Sequence, residues 1–154
     1  MRVALGTVQF GVNYGISNKA GKTSQAEVGA ILTAAENNGI RVIDTAALYG
    51  DSEAVLGESL PQRSGFKIVT KTPQFSKQVL DESDAQHLED MLHSSLAQLG
   101  AASVYGLLIH RAEDLLLPGG ELLVNRLLKL KQNGLVSKVG VSVYSGSQID
   151  QVME

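Results

Sequence analysis

Short apolar runs alternate along this chain with stretches whose apolar residues recur every three or four positions. Val3 to Thr7, Arg41 to Ile43, Lys67 to Thr70, Val104 to Ile109 and Val139 to Val143 read as strands. The Val104 run is nearly all apolar, as burial on both faces requires. Between them the spacing predicts helices. Ser24, with Glu27 three residues on, is a capping box that opens a helix to about Asn38, with Val28, Ile31 and Ala35 inward and Gly39 as its stop. A shorter helix runs from Ser52 to Leu60 and ends before Pro61. A second capping box, Ser83 and Gln86, precedes a face of Leu88, Leu92, Leu96 and Leu99 that stops at Gly100. Gly120 to Asn133 carries Leu123, Leu127 and Leu130 inward and stops at Gly134, and Ser147 to Glu154 reads as the first turns of a further helix.

Each strand–helix pair takes roughly 30 residues, the period of βα units on a parallel sheet. The count is four complete units, a fifth strand and part of a helix, in one domain over residues 1–154 with no linker and no low-complexity block. A closed eight-fold β/α barrel needs about 250 residues. A chain of this length is therefore expected to supply about half of one, and an open five-stranded α/β sheet is the geometric alternative. No Gly-x-Gly-x-x-Gly follows the first strand, so the dinucleotide fingerprint of the doubly wound folds is missing.

Composition narrows the partners. With 44% hydrophobic and 19% charged residues the chain is of ordinary globular type, and its net charge of -3 leaves no nucleic-acid footprint. Without Cys there is no disulfide, thiol nucleophile or thiolate metal site. His87 and His93 are six apart, off the spacing of paired ligands, so no metal site is expected. Met1 leads directly into the first strand with no apolar leader and no membrane-length run, and the expectation is a cytoplasmic protein.

The chemistry-bearing residues sit at strand ends. Asp44 follows the second strand, Lys71 ends the third and His110 ends the fourth, while Tyr49 lies in the loop after Asp44. A β/α barrel collects such ends at one mouth. A phenol has a pKa of about 10, too high for easy proton release at neutral pH, and a neighbouring ammonium lowers it. Lys71 could supply that charge, held in place by Asp44. His110 would donate a hydrogen bond to a carbonyl oxygen. The set suits reduction of a carbonyl, in which an alkoxide develops and must be protonated. Taken singly, each residue has a plain structural reading: Asp44 a helix cap, Lys71 a surface cation, His110 a loop hydrogen-bonder, Tyr49-Gly50 a turn. The Gly11-Val12-Asn13-Tyr14-Gly15 stretch reads as a surface loop, with close approach to a ligand as the sharper alternative. Arg111-Ala112-Glu113-Asp114 reads as a solvated cap, and Leu115-Leu116-Leu117-Pro118 as a tucked loop or an interaction patch.

Gly39 through Gly50, Ser52-Glu53-Ala54-Val55-Leu56-Gly57, Val69-Thr70-Lys71, Leu107 through His110 and the opening Leu5-Gly6-Thr7 together resemble the aldo-keto reductase family. The resemblance runs over essentially the whole chain, in order. It implies a (β/α)8 TIM barrel, of which this chain would be the N-terminal half, with hydride transfer from a nicotinamide cofactor, usually NADPH, to an aldehyde or ketone. It implies Tyr49 as proton donor, Lys71 and Asp44 as its tuners, and His110 as carbonyl orienter. Gly6, Thr7, Asp44 and Ser142 are the expected cofactor-binding residues. The stretch Gly6 to Gly15 is similar to a bacterial subgroup linked to surface-sugar biosynthesis.

Two departures from the family stand out. The family usually ends its fifth strand with Gly-x-Ser-Asn; here Gly140-Val141-Ser142-Val143 keeps the Ser and replaces the Asn with a side chain that cannot hydrogen-bond. Most family contacts to the cofactor's phosphates and adenosine come from strands six to eight, beyond this sequence. The alternative to an enzyme is therefore a catalytically inactive half-barrel or fragment that lacks the cofactor site. Either would expose sheet edges, so self-association into a homo-oligomer is expected. The expected partners are otherwise a small carbonyl substrate, with no nucleic acid and no membrane.

Overall fold

The computed structural model describes residues 3–60 and 65–153. In chain order the elements are β1 (Ala4–Gly6), α1 (Val8–Gly11), α2 (Gln25–Asn37), β2 (Val42–Asp44), α3 (Ser52–Ser59), β3 (Lys67–Lys71), α4 (Glu82–Leu99), β4 (Val104–Ile109), α5 (Glu113–Leu116), α6 (Gly120–Gln132), β5 (Val136–Val141) and α7 (Gly146–Met153). The five strands are parallel and lie side by side in sequence order. Consecutive parallel neighbours joined by helices are the arrangement of a β/α barrel wall, and this open sheet forms a partial (β/α)8 barrel.

The register sorts the side chains into two faces. Leu5, Ile43 and Ile68 share one row on the helix side, and Thr70, Leu107 and Val139 share the next. The helices close over these rows with Val28 and Leu32 of α2, Leu56 of α3, Leu88, Leu92, Leu96 and Leu99 of α4, and Leu123, Leu127 and Leu130 of α6. On the opposite face Gly6, Asp44, Val69, Gly106 and Lys138 form one row, and Lys71, Leu108 and Gly140 the next. That face is open: Ala4, Gly6, Lys67 and Lys138 are exposed. Among the described residues no helix is long and apolar enough to cross a membrane.

The helix stops at Gly39, Gly100 and Gly134 stand in the left-handed region that glycine favours. Four local expectations change. Helix α4 starts at Glu82, capped by Asp81: Asp81 Oδ1 accepts from Ser83 N–H at 2.8 Å and Asp84 Oδ2 accepts from Asp81 N–H at 2.9 Å. The box is thus Asp81 with Asp84 in place of Ser83 with Gln86, because carboxylates two residues earlier meet the free N–H groups first. Strand β5 begins three residues before the expected Val139, because β4 offers partners from Val104 onward and Val136 takes the first. In α2, Leu32 takes the buried place expected for Ile31, which is only half-buried. Asp114 is not solvated: it is 0% exposed at the start of α5, where Arg111 Nε donates to its Oδ1 at 2.8 Å. Pro61, the expected stop of α3, lies outside the described residues.

Close helix packing gives two glycines opposite roles. A Cβ on Gly57 of α3 would lie 2.1 Å from the Gln98 carbonyl oxygen of α4, whereas a Cβ on Gly29 of α2 would meet nothing within 4 Å. Gly29→Ala should stabilise the fold by about 1 kcal/mol, since alanine removes the entropy cost of a helical glycine. Gly57→Ala should destabilise it by about 1–3 kcal/mol, the usual cost of overpacking. Urea unfolding of both variants checks the pair, and equal signs would contradict the packing described.

Candidate active site

Asp44 is the last residue of β2, Lys71 the last of β3, and His110 the first after β4. Because the strands are parallel, these ends share one rim of the sheet, and the β2–α3 loop brings Tyr49 to the same rim. Lys71 is only 6% exposed. Its ammonium donates to both Asp44 carboxylate oxygens and to the Thr45 carbonyl oxygen, each at 2.8 Å. Three acceptors meet the three N–H donors of the group, which is what a buried ammonium requires. The Asp44 side chain remains 38% exposed toward the open face.

The Tyr49 ring lies under this charge, with its centre 4.9 Å from Lys71 Nζ. The His110 ring meets it edge-on, with centres 6.0 Å apart and planes at 87°. The His110 backbone N–H donates to Thr72 Oγ1 at 3.1 Å, which ties the end of β4 to the loop after β3. Its Nδ1 is buried with no hydrogen-bond partner. Burial, and secondarily the Lys71 charge, push the imidazole pKa below the ordinary histidine value. The ring is therefore neutral at pH 7, with one N–H to donate. All four residues expected from the sequence thus meet at one rim.

The expected cofactor contacts divide. Gly6 faces open space, where a Cβ would meet nothing within 4 Å. Ser142 stands just past β5, half-buried, with its N–H on the Ile109 carbonyl at 2.9 Å. Thr7 is 0% exposed, and its hydroxyl is taken by the Asp44 carbonyl oxygen at 3.2 Å and by Ser52 Oγ at 2.9 Å, so its side chain supports the rim from beneath. Gly11, whose stretch reads from the sequence as a surface loop, approaches protein closely: a Cβ there would lie 1.7 Å from the Tyr49 carbonyl oxygen. Sequence reasoning missed Thr72, and missed the roles of Thr45, Ser52 and Glu53. Their only signal was a hydroxyl or carboxyl group just past a strand end, at Thr45 and Thr72, or at the start of α3, at Ser52 and Glu53. No cluster of potential metal ligands occurs among the described residues; His87 is exposed and packs edge-on against Phe75.

His110 should titrate below about 6.5, the ordinary value. Lys71→Met should raise its pKa only part of the way back, because burial is the larger cause. The folded chain holds this proton more weakly than the unfolded chain does. Stability from the neutral His110 is therefore present above the ordinary pKa and falls as the pH drops through it. Histidine ring NMR across pH 4–8, roughly the span in which imidazoles titrate, with His110→Gln to assign the signal, checks both points.

Comparison with known proteins bears on this rim. The chain matches the Aldo/keto reductase family model over residues 2–154. It is 33% identical over 141 residues to an aldo-keto reductase of Mycolicibacterium vanbaalenii, covering 86% of this chain and 46% of that protein. A crystal structure of a protein from Pseudomonas aeruginosa assigned to the aldo-keto reductases superposes with a TM-score of 0.79 at 30% identity, over 97% of this chain and 58% of that one. An aldo-keto reductase of Bombyx mori in complex with NADP gives a TM-score of 0.68 at 26% identity, over 98% of this chain and 49% of that one. The chain thus spans about half the length of the relatives it matches. With the family match running through every strand that carries the rim, this chain belongs to the aldo-keto reductase family.

Proposed function

We propose that this chain carries the acid–base part of an NADPH-dependent reduction of an aldehyde or ketone to an alcohol. The supporting observation is the meeting of Asp44, Tyr49, Lys71 and His110 on one rim from separate segments. When bound, NADPH would supply the hydride to the carbonyl carbon. Tyr49 gives its phenolic proton to the carbonyl oxygen as negative charge develops there. The Lys71 ammonium, aimed by Asp44 and the Thr45 carbonyl, stands over the Tyr49 ring, where its positive charge offsets the negative charge left behind. Neutral His110 donates an imidazole N–H to the same carbonyl oxygen and orients it.

The residues present fit the nicotinamide end of the cofactor. Asp44 and Ser142 stand beside the rim and would hold the carboxamide, while Gly6 and Gly140 place no side chain on the open sheet face. The phosphates find less here. Lys71 is committed to Asp44, and Arg111 to Asp114 and the Phe75 carbonyl. Phosphate contacts are expected from the part of the family barrel that these residues do not span.

A second reading is favoured by the open sheet. β1 and β5 each have a neighbour on one side only, and Val42, Val69 and Leu108 on the open face are only partly buried. Unpaired edges and uncovered apolar faces drive pairing, so the 154-residue chain by itself self-associates and lacks a complete cofactor site.

Calorimetric titration with NADPH, together with light scattering, separates the two. The reductase reading expects saturable NADPH binding and carbonyl reduction that Tyr49→Phe lowers by about 10²–10⁴-fold, the usual weight of a general acid, with cofactor affinity kept. Absence of binding at millimolar NADPH by an assembled chain would leave the second reading. Full activity in Tyr49→Phe would overturn the role given to the tyrosine.

A further inference from the structure

The loop that carries Tyr49 is held from below by side chains that have no part in the reaction. The Tyr49 carbonyl oxygen accepts from Ser52 N–H at 3.1 Å, and Tyr49 N–H donates to the Ala46 carbonyl at 3.0 Å. Ser52 opens α3 and is 0% exposed. Its Oγ lies 2.9 Å from both the carbonyl oxygen and Oγ1 of Thr7, and 3.3 Å from Thr45 Oγ1. One order of protons satisfies every hydroxyl: Thr45 donates to Ser52, Ser52 to the Thr7 carbonyl, and Thr7 to the Asp44 carbonyl at 3.2 Å. The next residue, Glu53, is also buried and accepts from Thr70 Oγ1 at 2.5 Å, one position before Lys71. The first two residues of α3 therefore grip the C-terminal ends of β1, β2 and β3 through three buried threonines. From above, the loop is bounded by Gly11: a Cβ there would strike the Tyr49 carbonyl, and a Cβ on Gly50 would lie 2.6 Å from the Gly11 carbonyl.

We infer that Ser52 and Glu53 are positioning residues, which fix the Tyr49 ring between Lys71 and His110 by anchoring α3 to the three strand ends. Their role in reduction rests on the reading of Tyr49 as proton donor, but their effect on its position does not. The physical reason is the low cost of moving a turn that has only backbone bonds of its own. A buried hydroxyl chain converts that soft turn into a fixed one, because any shift leaves hydroxyls unpaired away from water.

The edge-on contact between Tyr49 and His110 supplies the readout. An aromatic ring at this distance shifts the NMR signals of the imidazole, and Tyr49→Leu gives their position without it. Ser52→Ala is expected to move the His110 ring signals most of the way to the Tyr49→Leu position. Thr70→Val, which removes the hydroxyl donated to Glu53 and keeps the side-chain shape, is expected to move them in the same direction. Ser95→Ala removes a buried hydroxyl on α4 that touches none of this and should leave them in place. If Ser52→Ala does not fold, Thr70→Val decides. Folded variants whose His110 signals stay at the native position would overturn the inference. Shifted signals with full carbonyl reduction in Tyr49→Phe would instead overturn the role given to the tyrosine and leave the positioning intact.

Discussion

The rim depends on keeping one ammonium charged in a place almost without water. Isolated burial of the Lys71 charge would be prohibitive. The group is tolerable because both Asp44 oxygens and the Thr45 carbonyl oxygen surround it at 2.8 Å. Those acceptors belong to β2 and the residue after it, while the lysine belongs to β3. The ion pair is therefore also a clamp between neighbouring strand ends, and it can form only if β2 and β3 pair in the observed register. The same charge lies over the Tyr49 ring and contributes to keeping His110 neutral. Removing Asp44 would leave the Lys71 charge buried with only the Thr45 carbonyl oxygen to meet it, a loss that typically costs about 3–5 kcal/mol.

The sheet makes this arrangement possible through its two unlike faces. The helix side carries the apolar load: Ile43, Leu107 and Ile109 meet the leucines of α4 and α6. The open side mixes small and polar residues with a few aliphatic ones: Gly6, Asp44, Val69, Gly106 and Lys138 in one row and Lys71, Leu108 and Gly140 in the next. A single register thus separates the stability of the domain from its chemistry. Period-two alternation forces the split, because every second residue of a strand must face the other way.

Much of this could be read from the chain. The leucines of α4 and α6 and the whole of β4 match their expected positions, because long periodic runs carry a strong signal. Weak or competing local signals produced the misses. The α4 cap went to Asp81 and Asp84 although Ser83 and Gln86 also fit the pattern, and the polar residues Ser137 and Lys138 concealed the start of β5. Helices α1 and α5, of four residues each, are too short for periodicity to register. At the site, Asp44, Lys71 and His110 stood out as reactive side chains at strand ends, and Tyr49 in the loop after one of them. Thr72 and Ser52 did not, and Thr7 did so only through the family resemblance, because a threonine or serine looks the same in sequence whether it holds a ligand, a neighbour or water.

The sequence by itself determined the βα repeat, the core leucines and which reactive side chains lie at or just past strand ends, since these follow from local periodicity, glycine stops and side-chain type. Tertiary structure alone decided the addition of the Thr45 carbonyl to the expected Lys71–Asp44 pair, the edge-on meeting of Tyr49 and His110, and the burial of Thr7. Each of these joins residues distant in the chain, and only the register of parallel strands brings such residues within hydrogen-bonding distance.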